Sequence, residues 1–173
     1  MKLHPSLVKA MVYGANDGII TTFAVAAGAA GVGLSASVVV ILGISNMLAD
    51  GLTMGLGDYA GEISEKAYIE RQTGKTDDRQ LWKTGVATFV SFVVAGSFPL
   101  VPYVALFLGA PIVDTVFTLS IIATGIVLFL VGSARTIFIG GNWFKNGIVI
   151  LGIGSVAALV AYFVGDVIEQ LVL

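Results

Sequence analysis

Residues 45 to 65 read SNMLADGLTMGLGDYAGEISE, a stretch that starts apolar and becomes acidic toward its end. An α-helix turns by about 100° per residue, so Asn46, Asp50 and Met54 fall on one face of this segment. A carboxylate near the middle of a bilayer costs roughly 2.5 to 3.5 kcal/mol on insertion scales. We therefore expect Asp50 to face a partner group, a cavity or an ion rather than lipid.

The same stretch also carries two small-residue spacings, Gly51-x-x-x-Gly55 and Gly57-x-x-x-Gly61. Such spacings let neighbouring membrane helices approach closely, and Asp50 could then be a structural group that caps a neighbour. An ion site and a packing stripe are compatible with each other. Both interpretations stay open at this point.

The composition identifies the class of protein. Hydrophobic residues make up 57% of the chain and charged residues 12%, and the mean hydropathy is +0.96. Soluble domains carry about twice that share of charge. Charge-free runs reach the roughly 20 residues that a membrane-spanning helix needs, and they cover residues 18–49, 84–113, 115–134 and 146–165. The sequence predicts an all-α integral membrane protein, because the runs lack the alternation of barrel strands.

The sequence GAAGVGLS at 28–35 interrupts the first run, which gives five predicted transmembrane helices in a single domain over residues 1–173. Asn16-Asp17-Gly18 would interrupt the apolar core of a signal peptide, so the first helix is expected to be retained. Pro99 and Pro102 predict a kink or an end of regular helix in the third span. The predicted helices cover residues 6–31, 35–72, 77–108, 112–137 and 143–170.

Basic residues are distributed unevenly over these segments. In the five-helix arrangement all of them lie on one side of the membrane: Lys2, Lys9, Lys66, Arg71, Lys75, Arg79, Lys83, Arg135 and Lys145. The positive-inside rule then predicts a cytoplasmic N-terminus and a C-terminus outside the cell or in a lumen. Arg135, near the end of the fourth span, is expected to snorkel toward the interface.

A second intramembrane carboxylate, Asp17, lies in the first helix beside the spacing Gly14-x-x-x-Gly18, which predicts close packing. The second helix is too long for the bilayer, because about 37 residues would span roughly 55 Å. Its projecting end carries three acidic residues that could form a cytoplasmic vestibule for cations, Asp58, Glu62 and Glu65. The alternative is a solvated helix surface, with Glu62 and Lys66 as an i,i+4 ion pair.

The residue types exclude most enzymes. There is no cysteine and a single histidine, and no nucleophile–base pair, HExxH motif or phosphate-binding loop is present. The polar groups at membrane depth are the oxygen donors of Asp17, Asn46 and Asp50 and the sulfur of Met54. First-row transition ions accept such mixed ligands more readily than Ca²⁺ or Mg²⁺ does, which favours Fe²⁺, followed by Mn²⁺, Co²⁺ or Zn²⁺.

One chain supplies only about four such ligands, so we expect a homodimer that pairs helices 1 and 2. Buried carboxylates that lose a cation tend to take up a proton, which suggests exchange of metal for protons. The metal ion and protons are thus the expected partners besides the lipid bilayer. No feature predicts nucleic-acid binding or a bound cofactor.

Three stretches resemble the vacuolar iron transporter family: Asp17-Gly18 with the apolar helix after it, NMLADGLTMGLGDY at 46–59, and WFKNGIVILGIGSVAALVAY at 143–162. The resemblance covers nearly the whole chain. It implies five helices, a homodimer, and proton-coupled export of cytosolic Fe²⁺, often also Mn²⁺. It also implies that Asp17 lies on the metal path and that Met54 is a metal ligand.

The sequence departs from the plant-like members of that family in two respects. Those members commonly have glutamate at the position of Asn46 and an uncharged residue at that of Asp50, so the carboxylate is displaced by one turn along the same face. They also carry a cytoplasmic metal-binding domain between helices 2 and 3. Only residues 73–80 separate the two helices here, so the chain is a short form that lacks this domain.

The sequence therefore predicts a membrane transporter that moves Fe²⁺, with Mn²⁺ and other first-row cations as further substrates, out of the cytosol in exchange for protons. A non-transporting oligomeric membrane module and a passive cation channel are the alternatives. The short chain favours a prokaryotic cell membrane over a vacuolar one.

Overall fold

A computed structural model describes residues 4–74 and 80–172, and all regular structure in these ranges is helical. The predicted class of all-α membrane protein is confirmed. The helices are α1 (Pro5–Gly31), α2 (Ala36–Thr73), α3 (Trp82–Gly96), α4 (Val101–Phe107), α5 (Val116–Ala134), α6 (Thr136–Ile139) and α7 (Trp143–Val172), and short 3₁₀ turns cover Phe98–Leu100 and Val113–Thr115.

The ends of α1, α2 and α7 fall within two residues of the predicted bounds, whereas the third span begins later than predicted. Gln80 and Leu81 are not helical, so α3 starts at Trp82 instead of residue 77. The predicted start of this span at residue 77 lies outside the described residues. At the other end of the preceding connection, Gly74 ends α2 in the left-handed region, with φ 65°, and its N–H donates to Glu70 O.

Proline interrupts the third span, as the sequence predicts. The helix passes through the turn Phe98–Leu100 before it resumes as α4, and Pro99 and Pro102 are the second residues of these two elements. Proline has no N–H and clashes with the preceding helical turn. The buried hydroxyl of Ser120 in α5 donates to the Pro99 carbonyl at 2.7 Å, which ties this break to the fourth span.

Four helical segments in the described ranges are long and apolar enough to cross a membrane: Ala36–Thr73, Trp82–Phe107, Val113–Ile139 and Trp143–Val167. The remaining long helix, α1, packs against α2, α3, α5 and α7 and is the central helix of the bundle. Its buried residues include glycine, alanine and threonine at Gly14, Ala26 and Thr22. A central helix contacts protein on most sides, so it needs fewer large apolar residues. That α1 crosses the bilayer stays a prediction.

Glycine brings the backbones of three helices close together. A Cβ atom on Gly14 would lie 2.5 Å from the Thr88 carbonyl oxygen, and one on Gly18 would collide with the Phe92 backbone. The predicted close packing at Gly14-x-x-x-Gly18 is therefore present, against α3. In α2, a Cβ on Gly55 would lie 2.7 Å from the Gly85 carbonyl oxygen.

These contacts also give the directions of the helices. α1 runs parallel to α3, because Gly14 meets Thr88 and Gly18 meets Phe92, whereas α2 and α3 are antiparallel. The alternation places the described basic residues at one end of the bundle, here called the basic end: Lys9, Lys66, Arg71, Lys83, Arg135 and Lys145. Lys2, Lys75 and Arg79 lie outside the described residues. The assignment of the basic end to the cytoplasm stays a prediction.

Candidate metal site

Two faces of α2 differ in what they contact. Gly43, Gly51 and Gly55 are buried against the third span, where their nearest neighbours are Leu100, Phe92 and Gly85. Asp50 lies beside this face and is exposed in the single chain. The structure therefore places the carboxylate of Asp50 on the surface of the single chain.

The predicted ligands on α2 form a row along one side of the helix. Asn46 and Met54 are half-buried, one turn on either side of Asp50. The Asn46 side-chain amide donates to Asp50 Oδ2 at 2.7 Å. This bond uses one lone pair of the carboxylate. The amide oxygen of Asn46 takes no part in it and is a further acceptor near Asp50.

Asp17 approaches this row from α1. It is half-buried near the middle of that helix, and it lies at the same level of the bundle as Asp50, because Gly18 and Gly51 both pack against Phe92 of α3. The hydroxyl of Thr21 donates to the Asp17 backbone carbonyl and so leaves the carboxylate unengaged by that neighbour. Two neighbouring carboxylates at membrane depth would be stabilised by a shared cation or proton.

One chain does not complete a metal site. Among the described residues there is no group of three histidine, cysteine, aspartate or glutamate side chains that could hold an ion. Asp17 and Asp50 supply two carboxylates, and Asn46 and Met54 could add an amide oxygen and a thioether. An octahedral first-row ion would need further ligands from water or from a second copy of the chain.

Asp58, predicted as part of the acidic vestibule, is instead turned toward α3. It is half-buried, and the fully buried hydroxyl of Thr88 donates to its Oδ2 at 2.9 Å. Sequence reasoning did not single out Thr88, because a threonine in an apolar helix is common and usually bonds to its own backbone. Only the pairing of α2 with α3 identifies it as the partner of a carboxylate.

The rest of the predicted vestibule lies further along the projecting end of α2. Glu62 is half-buried and Glu65 is exposed. The ion pair recorded on this surface joins Lys66 to Glu70 at 3.8 Å, one turn beyond the predicted Glu62–Lys66 pair. Gly57 and Gly61, predicted as a packing stripe, have no atom near the position of a Cβ, so this spacing packs against none of the described residues of the chain.

The family model described as the VIT family matches residues 8–81 and 70–166 of this chain. The chain belongs to the VIT family. The two matched segments meet at residues 70–81, around the connection from α2 to α3. This is the connection that is too short here for an additional domain, which is consistent with a short form of the family.

Relatives of this VIT-family chain are named vacuolar iron transporters. The one from Toxoplasma gondii is 27% identical over 228 aligned positions, which cover 95% of this chain and 75% of that protein. Vacuolar iron transporter 1 of Arabidopsis thaliana is 22% identical, with 95% of this chain and 87% of that protein covered. These eukaryotic, vacuolar names do not support the predicted preference for a prokaryotic cell membrane.

The alignments are longer than this chain itself. The 228 positions aligned with the Toxoplasma gondii protein exceed the 173 residues available here. That relative therefore has inserted residues that the present chain lacks. The matched parts still extend over almost the whole membrane domain.

Proposed function

We propose that this VIT-family chain transports Fe²⁺ out of the cytosol in exchange for protons, with Mn²⁺ and other first-row divalent cations as further substrates. The observation that carries the proposal is that Asp17 on α1 and Asp50 on α2 lie at the same level of the bundle, since the glycines that follow them, Gly18 and Gly51, both pack against Phe92. The names of the relatives, vacuolar iron transporters, support iron as the cargo.

The paired carboxylates suggest how metal and protons exchange. When a divalent ion lies between Asp17 and Asp50, its charge offsets their repulsion; when the ion leaves, a proton can take over that role. The two ligand states are alternatives, because the same oxygen atoms hold either the metal or the proton. Coupling of metal movement to a proton gradient follows from this competition.

Met54 would tune the preference among metals. A thioether is a soft ligand that contributes little to Mg²⁺ or Ca²⁺ but is accepted by first-row transition ions. It lies one turn from Asp50, toward the basic end, so an ion that enters from this end would meet it before the carboxylate pair. This order favours entry of transition ions over the far more abundant Mg²⁺.

A homodimer would complete the site. Asp50 is exposed on the same side of α2 as Thr53 and Leu42, which are also exposed and suit a membrane or protein contact. A bare carboxylate at this depth is unfavourable in lipid. A second copy that packs its α1 and α2 against this face would cover Asp50 and bring a second set of the same ligands. The exposed Gly57 and Gly61 would let the two α2 helices approach.

The proposal is tested by uptake into proteoliposomes of Fe²⁺, Mn²⁺, Zn²⁺ and Mg²⁺, with and without an imposed pH gradient. We expect selective uptake of Fe²⁺ and Mn²⁺ that rises with the gradient. Metal uptake that does not depend on the pH gradient would indicate a passive channel instead. If folded protein moves no ion at all, a non-transporting membrane module becomes the better description.

A matched pair of variants separates the metal path from the packing of α2. Met54→Leu and Met47→Leu both replace methionine by an isosteric residue, which cores usually tolerate. Met47 is buried on the packing face, with 6% exposure, whereas Met54 lies in the ligand row. Met54→Leu should lower the ratio of Fe²⁺ to Mg²⁺ uptake, and Met47→Leu should leave it unchanged. An equal effect of both would remove Met54 from the path.

A further inference from the structure

A second polar cavity lies away from the metal site, at the basic end of the bundle. A cleft of about 850 Å³ opens between the first turns of α1, the junction of α5 with α6, and α7. Lys9, Tyr13, Asn16 and Arg135 supply its polar groups, and none of the described residues that line it is acidic. Two positive charges without a counter-charge disfavour a divalent cation, so this cleft does not belong to the metal path.

The polar atoms of the cleft are not satisfied by the protein. Arg135 Nε is buried and has no hydrogen-bond partner in the part of the chain that the structure describes, and the same holds for Asn16 Oδ1. The expected snorkelling of Arg135 is thus incomplete, because this N–H stays out of water. A buried guanidinium N–H without an acceptor is costly and calls for a ligand that supplies one.

An apolar groove adjoins this cleft and extends along the bundle away from the basic end. It holds about 290 Å³ and lies between α1, α3 and α5, with Ala15, Val94 and Val127 among its walls. The groove and the cleft share three residues, Val12, Arg135 and Phe138. Along α3 the groove extends from Ser91 to Phe98, roughly 10 Å at the rise of an α-helix.

The two cavities together match an amphiphile with a negative head. Arginine binds phosphate through paired, charge-assisted hydrogen bonds, and basic pockets between membrane helices are typical sites for anionic lipid headgroups. A soluble anion would use only the cleft and leave the connected apolar groove unexplained. A neutral lipid would leave the two cations without a counter-charge.

From this juxtaposition we propose that the chain binds an anionic phospholipid, with the phosphate between Lys9 and Arg135 and one acyl chain in the groove lined by Val12, Val94 and Phe138. The lipid would connect the start of α1 with the α5–α6 junction, two parts of the chain that are far apart in sequence. It would act as a structural ligand of the folded bundle.

The test is the melting temperature of the purified full-length protein in detergent, with three added probes. These are dioctanoyl phosphatidylglycerol, dioctanoyl phosphatidylcholine and inorganic phosphate at equal concentrations. A ligand of the folded state raises the melting temperature increasingly with concentration. We expect a rise with phosphatidylglycerol and none with the other two.

Variants locate the effect. Arg135→Gln should abolish the rise caused by phosphatidylglycerol, whereas Lys145→Gln, at the same end but outside the cleft, should retain it. Lys9→Gln, at an exposed position, should weaken the rise and serves in place of Arg135→Gln if that protein does not fold. An equal rise with phosphatidylcholine, an equal rise with phosphate, no rise at all, or an unchanged rise in both cleft variants would each overturn the proposal.

Discussion

One side of α2 requires small residues, whereas the other side carries polar side chains. On one side, Gly43, Gly51 and Gly55 are buried against the third span, where even a methyl group meets another atom. On the other side, the polar groups of Asn46 and Asp50 lie at or near the surface of the chain. The difference indicates that the first face builds the bundle and the second is kept for something that binds to it. Substitutions on the two faces should therefore fail in different ways.

The largest expected effect is on transport alone. Asp50→Leu removes a carboxylate from the exposed face and should reduce Fe²⁺ uptake to the level of empty liposomes. Because leucine is favourable at membrane depth, by roughly 3 kcal/mol relative to aspartate, the melting temperature should not fall. Leu52→Ala, at an exposed position on the opposite side of α2, is the control and should retain uptake. A lower melting temperature of the Asp50→Leu protein would show that this face also stabilises the bundle.

The next effect is on stability alone. Gly55→Ala places a Cβ 2.7 Å from the Gly85 carbonyl oxygen, so α2 and α3 must move apart. Overpacking of this kind costs about 3 kcal/mol, and thermal unfolding in detergent should show it as a lower melting temperature.

Gly152→Ala, at an exposed position in α7, is the matched control because a Cβ there meets no neighbour among the described residues. It should keep or raise the melting temperature, since alanine is favoured over glycine in a helix by about 1 kcal/mol. Equal melting temperatures of the two variants would contradict the assignment of the packing face.

A smaller loss of stability is expected when the hydrogen bond between α3 and α2 is removed. Thr88→Val keeps the shape of the side chain but removes the hydrogen bond to Asp58. A bond to a charged group is worth about 2 kcal/mol, which thermal unfolding should detect. Thr124→Val removes a buried hydroxyl that bonds only to the Ser120 carbonyl in its own helix, and it should cost less.

The smallest effect concerns the break in the third span. Ser120→Ala removes the 2.7 Å bond to the Pro99 carbonyl and should cost about 1 kcal/mol. Ser155→Ala, whose hydroxyl is exposed and bonds to the Leu151 carbonyl of its own helix, should be neutral. A larger loss at Ser155 than at Ser120 would mean that the break does not depend on its tie to α5.

The sequence predicted the helical class and the interruption at Pro99 because both follow from local chemistry: length of apolar runs and the missing N–H of proline. Its placement of Asp17, Asn46, Asp50 and Met54 at membrane depth stays a prediction. It could not predict that Asp50 is exposed in a single chain, since helical periodicity groups residues on a face without saying which neighbour that face meets.

Contacts between helices account for most of the remaining differences. Asp58 was assigned to an outer vestibule because it follows the apolar part of α2, yet Thr88, thirty positions away in the chain, draws it inward. Likewise, Gly51-x-x-x-Gly55 and Gly57-x-x-x-Gly61 are equivalent as patterns, and only the position of α3 makes one a contact and leaves the other open. The start of α3 was predicted too early, because no local sequence signal specifies where the connection from α2 ends.

The unbroken course of α2 has a practical consequence for imaging this protein. Its 38 residues extend for roughly 57 Å, well beyond the hydrocarbon layer, and end at Gly74. A protein of 17.9 kDa that lies mostly within a detergent micelle offers little contrast for particle alignment. A helical carrier fused in register with the last turns of α2 would inherit a fixed orientation from the bundle, and it could serve as a rigid fiducial for electron cryomicroscopy.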